Sequence, residues 1–341
     1  MKKVSVKDAV NMILCHDLTK IVPGEFKGAA FKKGHVIKEE DIPELLNMGK
    51  DHIYVWEARE GMLHEDDAAL RLAQAAVKNG VEVSEAREGK VNLIAQLEGL
   101  LKINVFNLTR INGIGDVSIA TLHTNRVVNA GTVVTSARVI PLVIEESKIK
   151  EAEEICANSG GLVEVIPIRP LKVGIVTTGN EVFYGRIQDK FGPVLKYKVS
   201  AFGCEVIGQI YAPDDIEKIS AAVKELISQG AELVLTSGGM SVDPDDVTPA
   251  GVRAAGGQVV VYGAPVMPGS MMMVAYLDDI PVLGLPGCVM FNSTTVFDLV
   301  LPRVLAGERI NRQDIDVLGH GGLCINCPTC SFPHCPFGKG Q

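Results

Sequence analysis

Three apolar runs end in short segments of glycine, hydroxyl and carboxylate residues: "TTGNE" at 177–181, "TSGGMSVDPDD" at 236–246 and "LPGC" at 285–288. Gly179, Gly238, Gly239 and Gly287 let the backbone approach a ligand closely, and amides exposed in such turns bind phosphate oxygens. Thr177, Thr178, Ser237 and Ser241 add hydroxyl donors. Glu181, Asp243, Asp245 and Asp246 add carboxylates, which repel a phosphate unless a divalent cation lies between them. Mg²⁺ suits that place, because it takes one or two carboxylates and fills its other positions with water and phosphate oxygens. Taken singly, each segment has an ordinary reading; the aspartates, for example, suit a solvated loop before a helix N-terminus. Their concurrence at three strand ends outweighs those readings.

A second group of reactive residues is Cys324, Cys327, Cys330 and Cys335, spaced C-x2-C-x2-C-x4-C and followed by Pro336. Such clustering points to metal ligation, not to a secreted disulfide framework. The spacing differs by one residue from the bacterial ferredoxin run, and four thiolates also suit structural zinc. A 4Fe-4S cluster, zinc and a metal-free, redox-labile tail all remain open. Cys15, Cys156 and Cys204 read as small buried hydrophobes.

The elements that must position these residues are clearest over 171–308. "LKVGIVTTG", "EVIGQIYA", "AELVLTSGG", "QVVVYG" and "IPVLGLPG" read as strands. "PVLKYKVSAFG", "DDIEKISAAVKELISQG" with Asp214 or Asp215 as its cap, a helix begun by Thr248-Pro249, and "FNSTTVFDLVLPRVLAG" read as helices. "PVMPGSMMMV" reads as a turn and a strand, with Met271, Met272 and Met273 in the core. This alternation predicts an α/β, doubly wound and mostly parallel sheet, which binds ligands beyond the carboxyl ends of its strands. All three polar segments then lie on one edge.

Upstream, residues 1–57 read as a small β-rich domain, with "AFKKGHVI" a hairpin, "EEDIPELLNMG" a short helix and "DHIYVW" a strand. Residues 58–170 read as an α+β domain: the helix "EDDAALRLAQAAVKNG", the β runs "LLKINVFNLT", "VSIATLHT" and "AGTVVTSARVIPLVI", and the helix "EESKIKEAEEICANSGG". Residues 309–341 read as a linker and an appended cysteine-rich metal-binding module.

With 341 residues, 47% of them hydrophobic, the chain can fill more than one core. Its net charge of -8 argues against nucleic acid or an anionic membrane as partner. No apolar run reads as a signal peptide or a membrane span, which implies a cytoplasmic protein.

Residues 171–308 resemble the molybdopterin-binding domain shared by molybdopterin adenylyltransferases and molybdotransferases. The matching elements are "TTGNEV", "GRIQD", "TSGGMSVDPDDVTP", "VMPGS" and "LGLPGC", in that order. The resemblance implies a ligand that is molybdopterin, the finished molybdenum cofactor or an adenylate of the pterin phosphate, with Mg²⁺ and molybdate taking part. It assigns Glu181, Asp189 and Asp246 to catalysis, with Asp246 and Asp245 toward the metal. It assigns Thr178, Gly179, Ser237, Gly238, Gly239, Ser241, Pro268, Gly269, Pro286, Gly287 and Cys288 to the cofactor. Four positions depart from the pattern: Cys288-Val289 replace Asn-Pro, Phe191 stands where an asparagine is usual, and Asp243 where a glycine is usual. The N-S-A-M-D-G-Y segment of the molybdotransferases has no match in residues 1–170. Two functions follow: Mg-dependent adenylyl transfer or molybdate insertion in molybdenum cofactor biosynthesis, or a non-catalytic carrier or sensor that delivers cofactor to a client molybdoenzyme. A nucleotide-handling enzyme on the same fold is a remoter alternative. The resemblance also implies a homodimer.

Overall fold

An apolar run such as "KVGIVTT" has no face fit for water, so it must lie in a sheet covered on both sides. The computed structural model describes residues 2–22, 25–55, 60–241 and 243–340 and places this run between two parallel neighbours in a six-stranded sheet. Its strands are β1 (Lys172–Thr178), β2 (Glu205–Ala212), β3 (Leu233–Ser237), β4 (Gln258–Tyr262), β5 (Met273–Leu277) and β6 (Ile280–Leu285). Their order is β2-β1-β3-β6-β5-β4. Strand β1 runs parallel to β2 and β3, and β3 runs parallel to β6. Strand β5 alone is reversed, pairing antiparallel with both β4 and β6.

Helices cover both faces. On one face α1 (Phe191–Ser200) and α4 (Val296–Leu305) bury Leu195, Val199, Phe297 and Val300 against Val173, Ile175 and Leu283. On the other, α2 (Ile216–Ser228) and α3 (Thr248–Ala254) bury Ile219, Val223, Leu226 and Val252 against Val176, Val234 and Val282. Truncating a fully buried residue such as Phe297 would cost about 3–5 kcal/mol. Asp215, not Asp214, caps α2, accepting the Lys218 N–H at 2.9 Å. Helix α4 begins later than its apolar content suggests. Thr295 and Asp298 form a capping box there, which leaves Phe291–Thr294 outside the helix.

The chain continues past α4 on the same core. Ile310, Ile315, Leu318 and Phe337 are buried in it, and Cys324 and Cys335 pack against it. Arg303 on α4 is 5% exposed. Its Nε donates to Glu308 at 2.8 Å and its Nη2 to Asp314 at 2.6 Å. That buried cation holds the helix to the segment that follows. The cysteine-rich stretch therefore shares the core of the α/β sheet.

The chain divides into two compact units, Leu97–Lys102, His123–Asn129 and Val165–Gln341 forming the one just described. Within it Arg126–Val128 pairs antiparallel with residues 99–101.

The other unit comprises Met1–Gln96, Ile103–Leu122 and Ala130–Glu164. Its four-stranded sheet runs Val81–Val83, Lys90–Ala95, Val133–Val139, Val117–Thr121, and helix Glu65–Ala76 buries Ala69, Leu72 and Ala73. The "LLKINVFNLT" run is strand only to Ile103. Asn104 then accepts the Asn107 N–H at 3.0 Å and starts helix Val105–Asn112. Residues 4–55 enclose their own cluster of Val4, Leu14, Phe31, Leu45 and Ile53. The hairpin lies upstream of the expected one, joining Leu18–Val22 to Phe26–Phe31. The last strand there is His52–Val55, and Trp56, with the expected boundary at 57, falls outside the described residues.

Candidate functional site

Register decides which residues meet at the sheet edge. Thr177 of β1 lies opposite Ser237 of β3, which lies opposite Leu285 of β6, so three strands end in one row. Strand β2 also ends there, with Ala212 opposite Thr178. The chain steps from β1 outward to β2 and then back across to β3, making the β1/β3 edge the switch point of the sheet.

The loops after β3 and β6 and the turn before β5 enclose a cleft of ≈ 550 Å³, whose lining does not include residues 177–181. Gly238, Gly239, Ser241 and Asp246 line it from the β3 loop, Pro268 and Gly269 from the turn before β5, and Pro286, Gly287 and Cys288 from the β6 loop. Phe191, Met240, Met267, Ser270, Met271, Leu285 and Met290 complete the wall, and among the described residues it contains no Lys, Arg or His. Met272 and Met273 are fully buried, but Met271 turns to the cleft and out of the core expected for it.

Close backbone packing shapes this wall. Gly238 has φ +90°, and a Cβ there would run into the Thr178 carbonyl. Gly269 has φ +128°, and a Cβ would lie 2.5 Å from Val296 Cγ1. Behind the loop, Thr178 Oγ1 lies 3.2 Å from the Ser237 carbonyl and 2.9 Å from Thr248 Oγ1, itself 2.9 Å from the Gly238 carbonyl. Two hydroxyl protons serve these three contacts. The Tyr262 hydroxyl braces the loop from outside, donating toward the carbonyls of Met240 and Ser241 at 3.1 and 3.2 Å.

The expected site residues thus separate into a wall and its supports. Thr178 and Ser237 are buried behind the wall, and the Ser237 hydroxyl has no hydrogen-bond partner among the described residues. Asp246 Oδ2 accepts the Asp243 amide at 2.9 Å, and the Asp246 amide donates to the Asp243 carbonyl at 2.9 Å. Asp243 therefore closes the loop through its backbone. Glu181 and Asp245 are exposed, outside the cleft lining, and Glu181 Oε1 lies 2.7 Å from where a Gly179 Cβ would be.

Asp189 is differently employed. Its Oδ1 accepts the Phe191 amide at 2.8 Å and its Oδ2 the Gln209 side-chain amide at 2.6 Å, with the Gly192 amide 3.1 Å from both oxygens. It caps the start of α1 and so holds Phe191 at the cleft.

Asp214 lies in the fourth strand-end loop, where its sequence context offers it only as a helix cap. It accepts the Asn180 amide at 2.9 Å. Burial pushes its carboxyl up, the Asn180 amide opposes this, and the charges of Glu181, Asp245 and Asp246 push it further up. The signal for it was "YAPDD" at the end of a parallel strand. Among the described residues no group of three or more His, Cys, Asp or Glu is disposed to hold a metal ion. Cys288 is half-buried at the cleft, and burial raises its thiol.

Residues 174–306 match the family described as a probable molybdopterin binding domain. Outside that domain, residues 3–57 match a domain of unknown function. The chain is 27% identical over 176 residues to a molybdopterin molybdenumtransferase of Synechococcus elongatus, covering 49% of this chain and 44% of that protein. It is 33% identical over 158 residues to the protein of that name from Haemophilus influenzae, covering 44% of this chain and 39% of that protein. A CinA-like protein of Mycolicibacterium vanbaalenii is 37% identical over 95 residues, covering 28% and 22%. The chain thus spans less than half the length of each of these relatives.

A second cavity, of ≈ 210 Å³, lies in the same unit and is lined by Cys324, Cys327, Cys330 and Cys335 together with Phe291–Thr294 and Phe332. All four cysteines are free thiols. The Thr294 hydroxyl, 3.4 Å from Cys330 Sγ, and the Phe332 amide lower the Cys330 thiol.

Proposed function

We propose that the cleft at the carboxyl edge of the sheet binds molybdopterin or the molybdenum cofactor and that the protein acts in molybdenum cofactor biosynthesis. The observation that carries this reading is the convergence of Gly238, Gly239, Ser241, Asp246, Pro268, Gly269, Pro286 and Gly287 on one cleft, within the stretch that matches the probable molybdopterin binding domain. A glycine-rich wall admits a ligand to the backbone, and its amides can donate to a phosphate.

In this reading Asp246 offers its second carboxylate oxygen to Mg²⁺, with Asp245 and Glu181 nearby, and the cation neutralises a pterin phosphate or adenylate during adenylyl transfer or molybdate insertion. Asp189 acts by holding Phe191, whose ring presents a flat face to the pterin. Thr178, Gly179 and Ser237 support the loops from behind. Cys324, Cys327, Cys330 and Cys335 ligate a metal centre, iron–sulfur or zinc. The setting is cytoplasmic, consistent with the lack, among the described residues, of a helix long and apolar enough to cross a membrane. A homodimer and a client molybdoenzyme belong to the same reading.

One observation favours the carrier or sensor reading: among the described residues the cleft wall carries no basic side chain, and a thiol, Cys288, stands where the family has an amide. Such a wall can hold a cofactor through backbone and sulfur contacts without supplying charge to a phosphoryl transition state.

Protein purified from a cofactor-producing host should release an oxidised, fluorescent pterin on denaturation, and its absence would overturn the binding reading. Incubation with molybdopterin, ATP, Mg²⁺ and molybdate then separates the two roles. Adenylate formation or hydrolysis supports the enzyme, whereas tight binding without turnover supports the carrier.

A further inference from the structure

The linings of the two cavities are joined through backbone. Met267 lines the cleft, and its backbone pairs with the cysteine-rich segment in a parallel bridge to Leu323. Met267 N–H donates to the Gly322 carbonyl at 2.8 Å, and Cys324 N–H donates to the Met267 carbonyl at 2.8 Å. The next residue, Pro268, accepts the Val296 N–H at 3.2 Å. From the β6 side, Cys288 and Met290 face the cleft, while Phe291–Thr294 face the four thiols. Gly322 fixes the junction, since a Cβ there would lie 2.5 Å from the Leu318 carbonyl and 2.6 Å from that of Pro265.

Among the described residues the four thiols do not form a group that could hold a single metal ion as they stand, but they line one cavity. Cys324, Cys327 and Cys330 recur every three residues, as in the bacterial ferredoxin run, and Cys335-Pro336 closes the set. The Asn326 N–H points to Cys324 Sγ at 3.5 Å and Thr294 Oγ1 lies 3.4 Å from Cys330 Sγ. Hydrogen bonds to sulfur of this kind tune iron–sulfur clusters. A zinc ion would draw all four sulfurs to about 3.8 Å from one another, the edge of a tetrahedron with 2.3 Å bonds. A four-iron cluster instead takes four thiolates around a larger body, one per iron, and all four cysteines line the one cavity. Cys327 and Cys330 are exposed, which leaves a route for delivery.

We propose that Cys324, Cys327, Cys330 and Cys335 together ligate one four-iron cluster, and that its loading sets the affinity of the neighbouring cleft through the Cys324–Met267 backbone bridge. Each thiol gives its proton to solvent, and its thiolate replaces one exchangeable thiolate on an incoming cluster, with no change of oxidation state. Loading fixes residues 322–330, and the bridge then holds Met267 and Pro268 against the ligand. The second half of the proposal rests on the cleft being the pterin site.

Full-length protein, stripped of metal and incubated anaerobically with a preassembled four-iron cluster carried by 2-mercaptoethanol, should retain about four irons per chain after desalting, with a broad visible absorption band. The Cys327→Ser variant, whose change lies at an exposed thiol and whose folding is checked by far-UV circular dichroism, should retain less. Zinc alone at one per chain in protein as purified, or no retained iron after reconstitution, overturns the cluster. Loaded protein should bind molybdopterin roughly tenfold more tightly than stripped wild type, a difference of about 1.4 kcal/mol. Equal binding by both overturns the coupling while leaving the pterin reading intact. Absence of pterin binding by either form overturns that reading and the coupling with it, and the iron content still decides the cluster separately.

Discussion

The glycine-walled cleft and the cysteine-lined cavity lie side by side but are held in shape by different means. The cleft inherits its geometry from strand register: once Thr177, Ser237 and Leu285 are in line, their loops have little freedom, and glycine is required where backbone meets backbone. The cavity is walled by residues 323–337, which contain no regular helix or strand and are held by a few backbone bonds and the packing of Phe332 and Phe337. A site organised by a sheet exists before its ligand arrives. A site organised by a loop gains rigidity from the ligand itself.

The most damaging test of that contrast is Gly269→Val. The new side chain meets Val296 in a backbone conformation that β-branched residues avoid, so the expected cost is about 3 kcal/mol with loss of pterin binding. Denaturant unfolding and pterin retention measure both. Gly322→Ala, at the root of the cysteine segment, should cost less, about 1–2 kcal/mol, because it adds a single methyl and its backbone is outside the left-handed region. Equal costs at the two positions would mean that the cysteine segment is as rigidly held as the sheet edge.

Next in size is Thr248→Val. It removes a buried hydroxyl shared with Thr178 and the Gly238 carbonyl, and the expected loss is about 1–2 kcal/mol. Pterin affinity should fall alongside stability, since the wall loses its support. If stability falls and affinity does not, the wall is held by Tyr262 and by strand register without help from the threonines.

How far the sequence revealed this follows from the same contrast. Alternating apolar runs and helix caps made the sheet and the cleft edge readable, because period and capping are local properties. Strand β5 was only half legible, since "MMMV" carries no sign that it would run antiparallel beside β6. Met271 and Met272 are neighbours of one residue type, and only the fold assigns one to the cleft and the other to the core. Thr178 and Ser237 were expected at the ligand because of their position in the motif. A strand directs alternate side chains to opposite faces and into neighbours, and here that buries both hydroxyls. Asp189 was read as a reactive carboxylate, but its role in capping α1 depends on Gln209 and the Phe191 amide, which sequence spacing does not reveal.

The smallest effect belongs to Asp214, and its sign is informative. A carboxyl raised above its unfolded value binds its proton more tightly in the folded state, so its contribution to stability is best at low pH and diminishes as pH rises through the carboxylate range. At neutral pH its charge opposes folding, by burial first and then by repulsion from Glu181, Asp245 and Asp246. Asp214→Asn keeps an oxygen to accept the Asn180 amide and removes the charge. The variant should therefore be more stable than wild type at pH 7, by roughly 0.5 kcal/mol after allowing for solvent screening, with the gain disappearing below the carboxylate range. Saturating Mg²⁺ should shrink that gain if the cation settles among these carboxylates, because the bound charge relieves the repulsion in wild type and leaves the variant less to gain. A gain that is the same with and without Mg²⁺ would place the cation elsewhere and leave Asp246 to act at the cleft without it.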